Sequence, residues 1–314
     1  MKKTIDKILE MLIESNDYLS GEIIGNQLGI SRIAVNKQIK KLISNGVNIE
    51  ISRKGYKFVE SDILTPQTLS KKLQSKGIDI PVFVEEVTST NTEAKRLYPE
   101  LNKDFLFVAP RQSSGKGRLD RVFVSGFGGV YMTLCYKPKK MFVTDSLKIV
   151  LMTGLAVAKV LKKYTDNVAI KWPNDVFVNG KKICGILLES VVTENVTEAI
   201  FLGIGVNITN EIPNELKSKV TSLKLENIPT LSRDVYISEI LQLLYQMFED
   251  YQKFGFAPFL NDYCDLSMSI NHNVIVNVNG NKKCGVGVGL SEEGYLLLEN
   301  NGEIEKIILG DIEV

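Results

Sequence analysis

A chain that reads Val168-Ala-Ile-Lys-Trp-Pro-Asn-Asp-Val-Phe-Val178, then Asn179-Gly180, then Lys181-Lys-Ile-Cys-Gly-Ile-Leu-Leu-Glu189 has to turn back on itself at the Asn-Gly pair. A two-residue hairpin turn of type I′ needs positive φ at both central positions, and Asn and Gly reach it at the least cost. The apolar runs on either side make this hairpin part of a sheet. Further strands are expected at Ile80–Val87, Phe105–Ala109, Val130–Tyr136 and Ala199–Ile208. The glycines of the last one, AIFLGIGVNI, let another group approach closely. Ser146–Tyr164 is apolar on nearly every face and reads as a core helix. Ser232–Phe254 is a long helix with Ile237, Ile240, Leu241, Leu244, Phe248 and Tyr251 on one side.

At 314 residues and 44% hydrophobic content, the chain is long enough for about two domains and a large core. A net charge of +1 excludes a global polyelectrolyte but allows a local basic face. Cys135, Cys184, Cys264 and Cys284 form no C-x-x-C pair, so neither a zinc site nor a disulfide framework is expected; reduced, mostly buried thiols are. His272 is the only histidine, which disfavours a Ser-His-Asp triad or a histidine metal site; it reads as an exposed or hydrogen-bonded junction residue. No metal-ligating set is assigned. The start, MKKTIDKILEMLIESND, is an amphipathic helix carrying Asp6, Glu10 and Glu14, not a signal peptide. The most apolar run, Ile149–Leu161, is too short for a membrane span and contains Lys159, so a cytoplasmic protein is expected.

Residues 1–62 read as a separate unit. Ile5, Ile8, Leu9, Leu12 and Ile13 share one helix face, and a second helix near Glu22–Leu28 stops at Gly29. Ser31 caps a third helix running to about Asn45, completing a helix-turn-helix. That helix turns Val35, Ile39, Leu42 and Ile43 inward and sets Arg32, Asn36 and Lys40 outward beside Lys37 and Lys41. After Gly46, VNIEISRKGYKFV reads as a hairpin wing with Arg53 and Lys54 at its tip. From Ser31 to Lys57 there are seven Lys and Arg against one acid, Glu50. Cations on the recognition helix and wing define a DNA-binding module, with Ser31, Arg32, Asn36, Lys37, Lys40, Arg53 and Lys54 as the contacts. One such module binds weakly, which implies a dimer reading two half-sites.

Ser61–Pro66 is the expected linker, followed by a short helix near Thr68–Lys76. Ser89 or Thr90 is placed to cap the helix holding Ala94 and Leu97. Between two strands lies PRQSSGKGRLDRVFVS, residues 110–125, with Arg111, Lys116, Arg118 and Arg121 among glycines and serines and almost no apolar anchor before Val122. Tethered at both ends and pliable, it suits a lid that closes over an anion. The last 45 residues alternate apolar and polar positions around turns at Asn279-Gly280, Glu293-Gly294 and Asn301-Gly302, a small all-β module. Gly285-Val-Gly-Val-Gly289 opens no helix and is not a dinucleotide loop.

Ser89-Thr90-Asn91, Gln112-Ser-Ser-Gly-Lys-Gly-Arg118, Lys171-Trp-Pro-Asn-Asp175, Lys182–Glu189 and Gly203-Ile-Gly-Val-Asn207 occur in an order and spacing that resembles the bifunctional biotin protein ligases, the biotin operon repressors, along essentially the whole chain. The resemblance implies an α+β multidomain fold: a winged helix-turn-helix at 1–62, a class II aminoacyl-tRNA synthetase-like α/β catalytic domain with a mixed sheet at 63–268, and an SH3-like β-barrel at 269–314. It implies biotin and ATP, with Mg2+, as substrates. Biotinyl-5′-AMP forms, and biotin passes to a lysine of a biotin carboxyl carrier protein. The adenylate also serves as corepressor for a homodimer on operator DNA, with no membrane involved.

By that resemblance Arg118, Lys182 and Asp175 are the catalytic candidates. Two anions must be neutralised and aligned, a task for Arg118 on one side and Lys182 on the other. Asp175 has three possible roles: orienting Lys182, the acceptor lysine or magnesium. Biotin contacts fall on Ser89, Thr90, Asn91, Gln112, Gly115, Lys116, Gly117, Arg118, Lys182 and Gly185. Nucleotide contacts fall on Arg118, Arg121, Phe123, Asn174, Lys182 and Asn207, with Phe123 covering the nucleotide; Trp172 packs beside the site. The chain departs from the family pattern at Lys116 for Arg, Ser113-Ser114 for Thr-Ala, Asp120 for Gly and Phe123 for Trp, and it ends without the basic tail of some relatives. Two other readings compete: a lipoate or octanoate ligase on the same core, and a ligand-sensing repressor without catalysis.

Overall fold

The computed structural model describes residues 4–15, 17–44, 47–59, 62, 64–139, 141–278 and 280–313. Three helices, α1 (Thr4–Glu14), α2 (Gly21–Leu28) and α3 (Arg32–Ser44), precede the strands β1 (Ile49–Ser52) and β2 (Gly55–Phe58). Gly29 ends α2 with φ of 66°, the left-handed C-cap that glycine takes without a Cβ clash. Ser31 Oγ accepts from the Ala34 N–H, capping α3. Ile8, Leu12, Ile24, Val35 and Ile39, all fully buried, belong to a core of this unit's own. Ile43 departs from expectation: it is exposed. Asn45 and Gly46, where the third helix was expected to end, lie outside the described residues. So do Ser61 and Ile63 of the expected linker.

Helix α4 (Pro66–Gln74) leads into the central unit, made of β3 (Val82–Val84), α5 (Thr90–Leu97), β4 (Phe105–Ala109), β5 (Val130–Tyr136), α6 (Ser146–Leu161), β6 (Val168–Lys171), β7 (Asp175–Val178), β8 (Lys181–Thr193), β9 (Val196–Val206), α7 (Arg233–Phe254) and α8 (Ala257–Leu266). Seven strands form one sheet in the order β3-β4-β5-β9-β8-β7-β6. Only β3–β4 is parallel, so the sheet is mixed as expected. The β7–β8 turn falls on Asn179 and Gly180, both with positive φ. Strand β3 is shorter than the Ile80–Val87 expectation; beyond Val84, Glu85 N–H still donates to the Val108 carbonyl and Val87 keeps an isolated bridge to Gln112.

Strand β4 is buried along its whole length because side chains alternate between two covered faces. Leu106 and Val108 join the large core with α6 and α7, while Phe105 and Phe107 pack with Ala94 of α5, Cys135 and Phe201. The remaining strands, β10 (Asn273–Val278), β11 (Asn281–Leu290), β12 (Leu296–Asn300), β13 (Glu303–Ile307) and β14 (Asp311–Glu313), form a five-stranded antiparallel sheet. Its Val274, Val276, Leu296 and Leu298 merge with the central core rather than forming a separate one. Trp172, 1% exposed, donates from Nε1 to the Gly294 carbonyl at 3.1 Å and so ties this sheet to the catalytic unit. Turns at Gly294 and Asn301-Gly302 have the expected positive φ, while Asn279 lies outside the described residues.

Of the cysteines, Cys135 and Cys184 are buried, whereas Cys284 is exposed, against the expectation of general burial. His272 Nδ1 lies 2.8 Å from the Ile270 carbonyl at the junction, as expected. Among the described residues, no helix is long and apolar enough to cross a membrane.

Candidate active site and nucleic-acid interface

A cleft of about 350 Å³ opens at the ends of β5, β7, β8 and β9 under the loop that follows β4. Most of the residues expected to hold substrates meet there: Ser89, Thr90, Asn91, Gln112, Lys116, Gly117, Arg118, Arg121, Phe123, Asn174, Asp175, Lys182 and Gly185 all line it. The floor is open because Gly185 and Gly205 are cross-strand partners on β8 and β9. A Cβ on Gly205 would stand 2.6 Å from the Phe123 ring, and one on Gly185 would stand 3.1 Å from it. The bare strand surface is therefore what lets Phe123 lie down as a roof.

The loop is better ordered than its composition implies. Gly117 N–H donates to the Arg121 carbonyl at 2.7 Å, Phe123 N–H to Gly115 at 2.8 Å, and Gln112 N–H to Ser125 at 3.0 Å, which makes it a short hairpin. Leu119 holds the tip with φ of 53°. Val122 is exposed and anchors nothing; Phe123 does. Gly115 sits behind the lining with its carbonyl taken by Phe123.

One hydrogen-bonded chain joins the two expected catalytic cations. Arg118 Nη1 donates to Asn174 Oδ1 at 2.9 Å, Asn174 Nδ2 donates to Asp175 Oδ1 at 3.1 Å, and Lys182 Nζ stands 2.7 Å from the same Asp175 oxygen. Asn174 Nδ2 also donates to the Ile186 carbonyl, fixing the side chain's place. Asp175 therefore stands in direct contact with Lys182, as the first of its three expected roles requires. Lys171 lines the same wall with its pKa below the ordinary value: burial lowers it, Asp175 partly offsets that, and Lys182 pushes it lower.

At the other end, Ser89 occupies the N-cap position of α5, but its side chain makes no capping bond. Gln112 Oε1 caps instead, accepting from Thr90 N–H at 2.8 Å. Asn207 does not reach the cleft. It is 2% exposed, donates to the Thr221 carbonyl at 3.0 Å and accepts from Asn210, so its amide is fully engaged in the fold.

Asp311 of the C-terminal sheet is a site residue that the sequence did not reveal. Its carboxylate lies 3.3 Å from Arg118 Nη1 and 2.6 Å from Arg121 Nη2, and Arg118 Nη2 donates to the Gly310 carbonyl at 3.4 Å. Nothing local marks a terminal Gly-Asp-Ile as belonging to a loop 190 residues earlier. Asp311→Ala is expected to speed tryptic cleavage after Arg118 and Arg121 in ligand-free protein, read by limited proteolysis. An unchanged cleavage rate would disconnect the C-terminal sheet from the loop.

On the winged helix, Arg32, Lys37 and Lys40 are exposed on α3, and Arg53 and Lys54 are exposed at the β1–β2 turn. Asn36 is partly buried and donates to the Tyr56 hydroxyl at 3.0 Å, bracing α3 against the wing. Ser31 is occupied as the cap.

Two cations bridged across a polar cleft are the equipment of an enzyme that joins two anions, and the winged helix adds a nucleic-acid reader: the class is a ligase carrying a DNA-binding module. Three family profiles match: an HTH domain at residues 4–57, the biotin/lipoate A/B protein ligase family at 83–207, and the biotin protein ligase C-terminal domain at 269–314. The chain is 32% identical to the bifunctional ligase/repressor BirA of Bacillus subtilis over 100% of both chains. It is 28% identical to that of Escherichia coli, over 99% of this chain and 97% of that one. The chain belongs to the family of bifunctional biotin ligase/repressors. Its fold is similar to the biotin protein ligase of Aquifex aeolicus solved with biotin and ATP, with a TM-score of 0.65 at 27% identity over 74% of this chain and 97% of that chain.

Proposed function

We infer that this chain joins biotin to AMP and then to a lysine of a biotin carboxyl carrier protein, and that it represses transcription when adenylate-bound. The observation that carries the catalytic half is the Arg118–Asn174–Asp175–Lys182 chain in the cleft. A biotin carboxylate oxygen attacks the α-phosphorus of ATP, forming a C–O–P anhydride while the bond to pyrophosphate breaks. Charge builds on the α-phosphate oxygens, and Lys182, aimed by Asp175, stabilises it. Arg118 presents its fork to phosphate or carboxylate oxygens. In the second step the carrier amine attacks the biotinyl carbonyl, AMP leaves, and the amine loses a proton.

Ser89, Thr90, Asn91 and Gln112 sit at the end of the cleft that suits the ureido ring, with Gly115, Lys116 and Gly117 along the loop and Gly185 beneath. Arg121, Phe123 and Asn174 face the nucleotide; Asn207 acts on it through the fold rather than by contact. Mg2+ enters with the ATP phosphates. Lys116 pairs with Val122 through its backbone, so the Lys-for-Arg departure leaves that strand-like contact intact. The test is biotin-dependent exchange of labelled pyrophosphate into ATP, which a non-catalytic sensor does not perform.

For the regulatory half, the exposed cations of α3 and the wing support operator binding by a homodimer formed when adenylate is bound under the loop. Such a protein works in the cytoplasm, where ATP and carrier are found. Replacing both Arg53 and Lys54 with alanine is expected to lower the slope of log affinity against log salt by about 2, since each phosphate contact contributes about one unit. A fluorescence-anisotropy titration across salt concentrations reads this, and an unchanged slope would remove the wing from the interface.

A further inference from the structure

Behind the ligand end of the cleft runs a hydrogen-bond relay that the reaction scheme does not use. Glu189 on β8 can only accept. Asn91 Nδ2 donates to Glu189 Oε2 at 2.8 Å, which turns Asn91 Oδ1 toward Thr133 Oγ1, 2.5 Å away. The Thr133 hydroxyl must then be the donor in that contact. Its own oxygen is left to accept from Thr90 Oγ1, 2.8 Å away. Thr90 Oγ1 also lies 3.2 Å from Gln112 Oε1, a second acceptor, but the shorter contact is the one to Thr133, whose own proton is already given to Asn91. With its single proton on that shorter contact, the Thr90 oxygen is left as an acceptor on the wall of the cleft. Thr133 is fully buried and Asn91 is 3% exposed, so solvent satisfies neither side chain. A Cβ at Gly203 would fall 2.5 Å from Asn91 Oδ1, so the amide has little room to shift.

We propose that Glu189 is a positioning residue which fixes the polarity of the Asn91–Thr133–Thr90 relay, so that Thr90 meets the ligand as an acceptor and selects a substrate bearing N–H donors. The proposal rests on the ligase reading, in which that donor is a ureido N–H of biotin. Burial works against the Glu189 charge, but the bonds from Lys95 and Asn91 prevail and hold its pKa below the usual carboxylate range. Lys95 stands on the far side of Glu189 and forms an ion pair with it, and it can only donate.

That asymmetry makes the proposal testable by the pattern of three variants. In Glu189→Gln, Lys95 draws the amide oxygen to itself and leaves an NH2 facing Asn91, which must flip and reverse the relay. The biotin KM in pyrophosphate exchange is expected to rise about tenfold, with kcat and the ATP KM within about twofold of wild type. Lys95→Met alone keeps the Glu189 charge and leaves all three parameters within about twofold. The double variant Lys95→Met/Glu189→Gln frees the glutamine oxygen to accept from Asn91 again, so the biotin KM returns to within about threefold of wild type. Thr133→Val, nearly isosteric and inside the core, breaks the relay in a second way and also raises the biotin KM about tenfold. The proposal is overturned if Glu189→Gln and Thr133→Val both leave the biotin KM unchanged, if the two substrates' KM values rise together, or if the double variant shows no recovery. A wild-type protein with no biotin-dependent exchange would instead refute the ligase reading itself.

Discussion

Lys182→Ala is expected to lower biotin-dependent pyrophosphate exchange about 10²–10³-fold, the usual cost of removing one preorganised charge from a developing anion. Among the described residues, Lys182 is held by one carboxylate, Asp175, at 2.7 Å, and Asp175 is itself fixed by Asn174. The cation is therefore in place before substrate arrives. The loss should fall on kcat rather than on the biotin KM, because the charge that Lys182 meets is greatest in the transition state. Asp175→Asn provides the internal check: it keeps the lysine but loosens its aim, so its loss should be smaller than that of Lys182→Ala. Exchange kinetics at saturating biotin and ATP measure both. A Lys182→Ala protein that keeps more than a tenth of the wild-type rate would move the phosphate role to another cation, with Lys171 on the same wall next in line.

Arg118→Ala is the second large effect, expected at about 10²-fold in exchange and with a different signature. Arg118 reaches both Asn174 on the catalytic wall and Asp311 with Gly310 on the C-terminal sheet. Its removal would take away the proposed phosphate contact and also the tie between the loop and both neighbours. Tryptic cleavage after Arg121 should then stay fast even with biotin and ATP present, whereas the wild-type loop should become protected. Protection of the variant's loop by ligands would show that Phe123 over Gly205 suffices to close it, and that Arg118 acts in chemistry alone.

The parts of the fold that were legible in the sequence are those set by neighbours in the chain. Asn179-Gly180 specified its hairpin, Gly29 and Ser31 bounded the turn between α2 and α3, and the unbroken apolar run Phe105–Ala109 matched a strand covered on both faces. The glycines of β9 signalled a close approach, and the structure shows the occupants to be Phe123 at Gly205 and Asn91 at Gly203. Resemblance to a family brought together the loop, Asn174, Asp175 and Lys182 across intervals that no periodicity spans.

What stayed hidden depends on contacts between distant elements. Asp311 acquires its role only because the C-terminal sheet shares the central core and brings β14 against the loop. Glu189 and Thr133 look like ordinary strand residues until β8 and β5, each paired with β9, bring them to Asn91. Asn207 shows the converse. It falls in a motif that points to the nucleotide, yet Thr221 and Asn210 claim both ends of its amide, so the side chain is spent within the fold and does not line the cleft.

The central claim is that this cleft activates biotin with ATP. Exchange of labelled pyrophosphate into ATP, run with wild-type protein and either biotin or lipoate as the only acid, tests it most directly. Exchange that depends on biotin and is absent with lipoate is the predicted result. Exchange with lipoate in preference to biotin, or none with either acid, would contradict it.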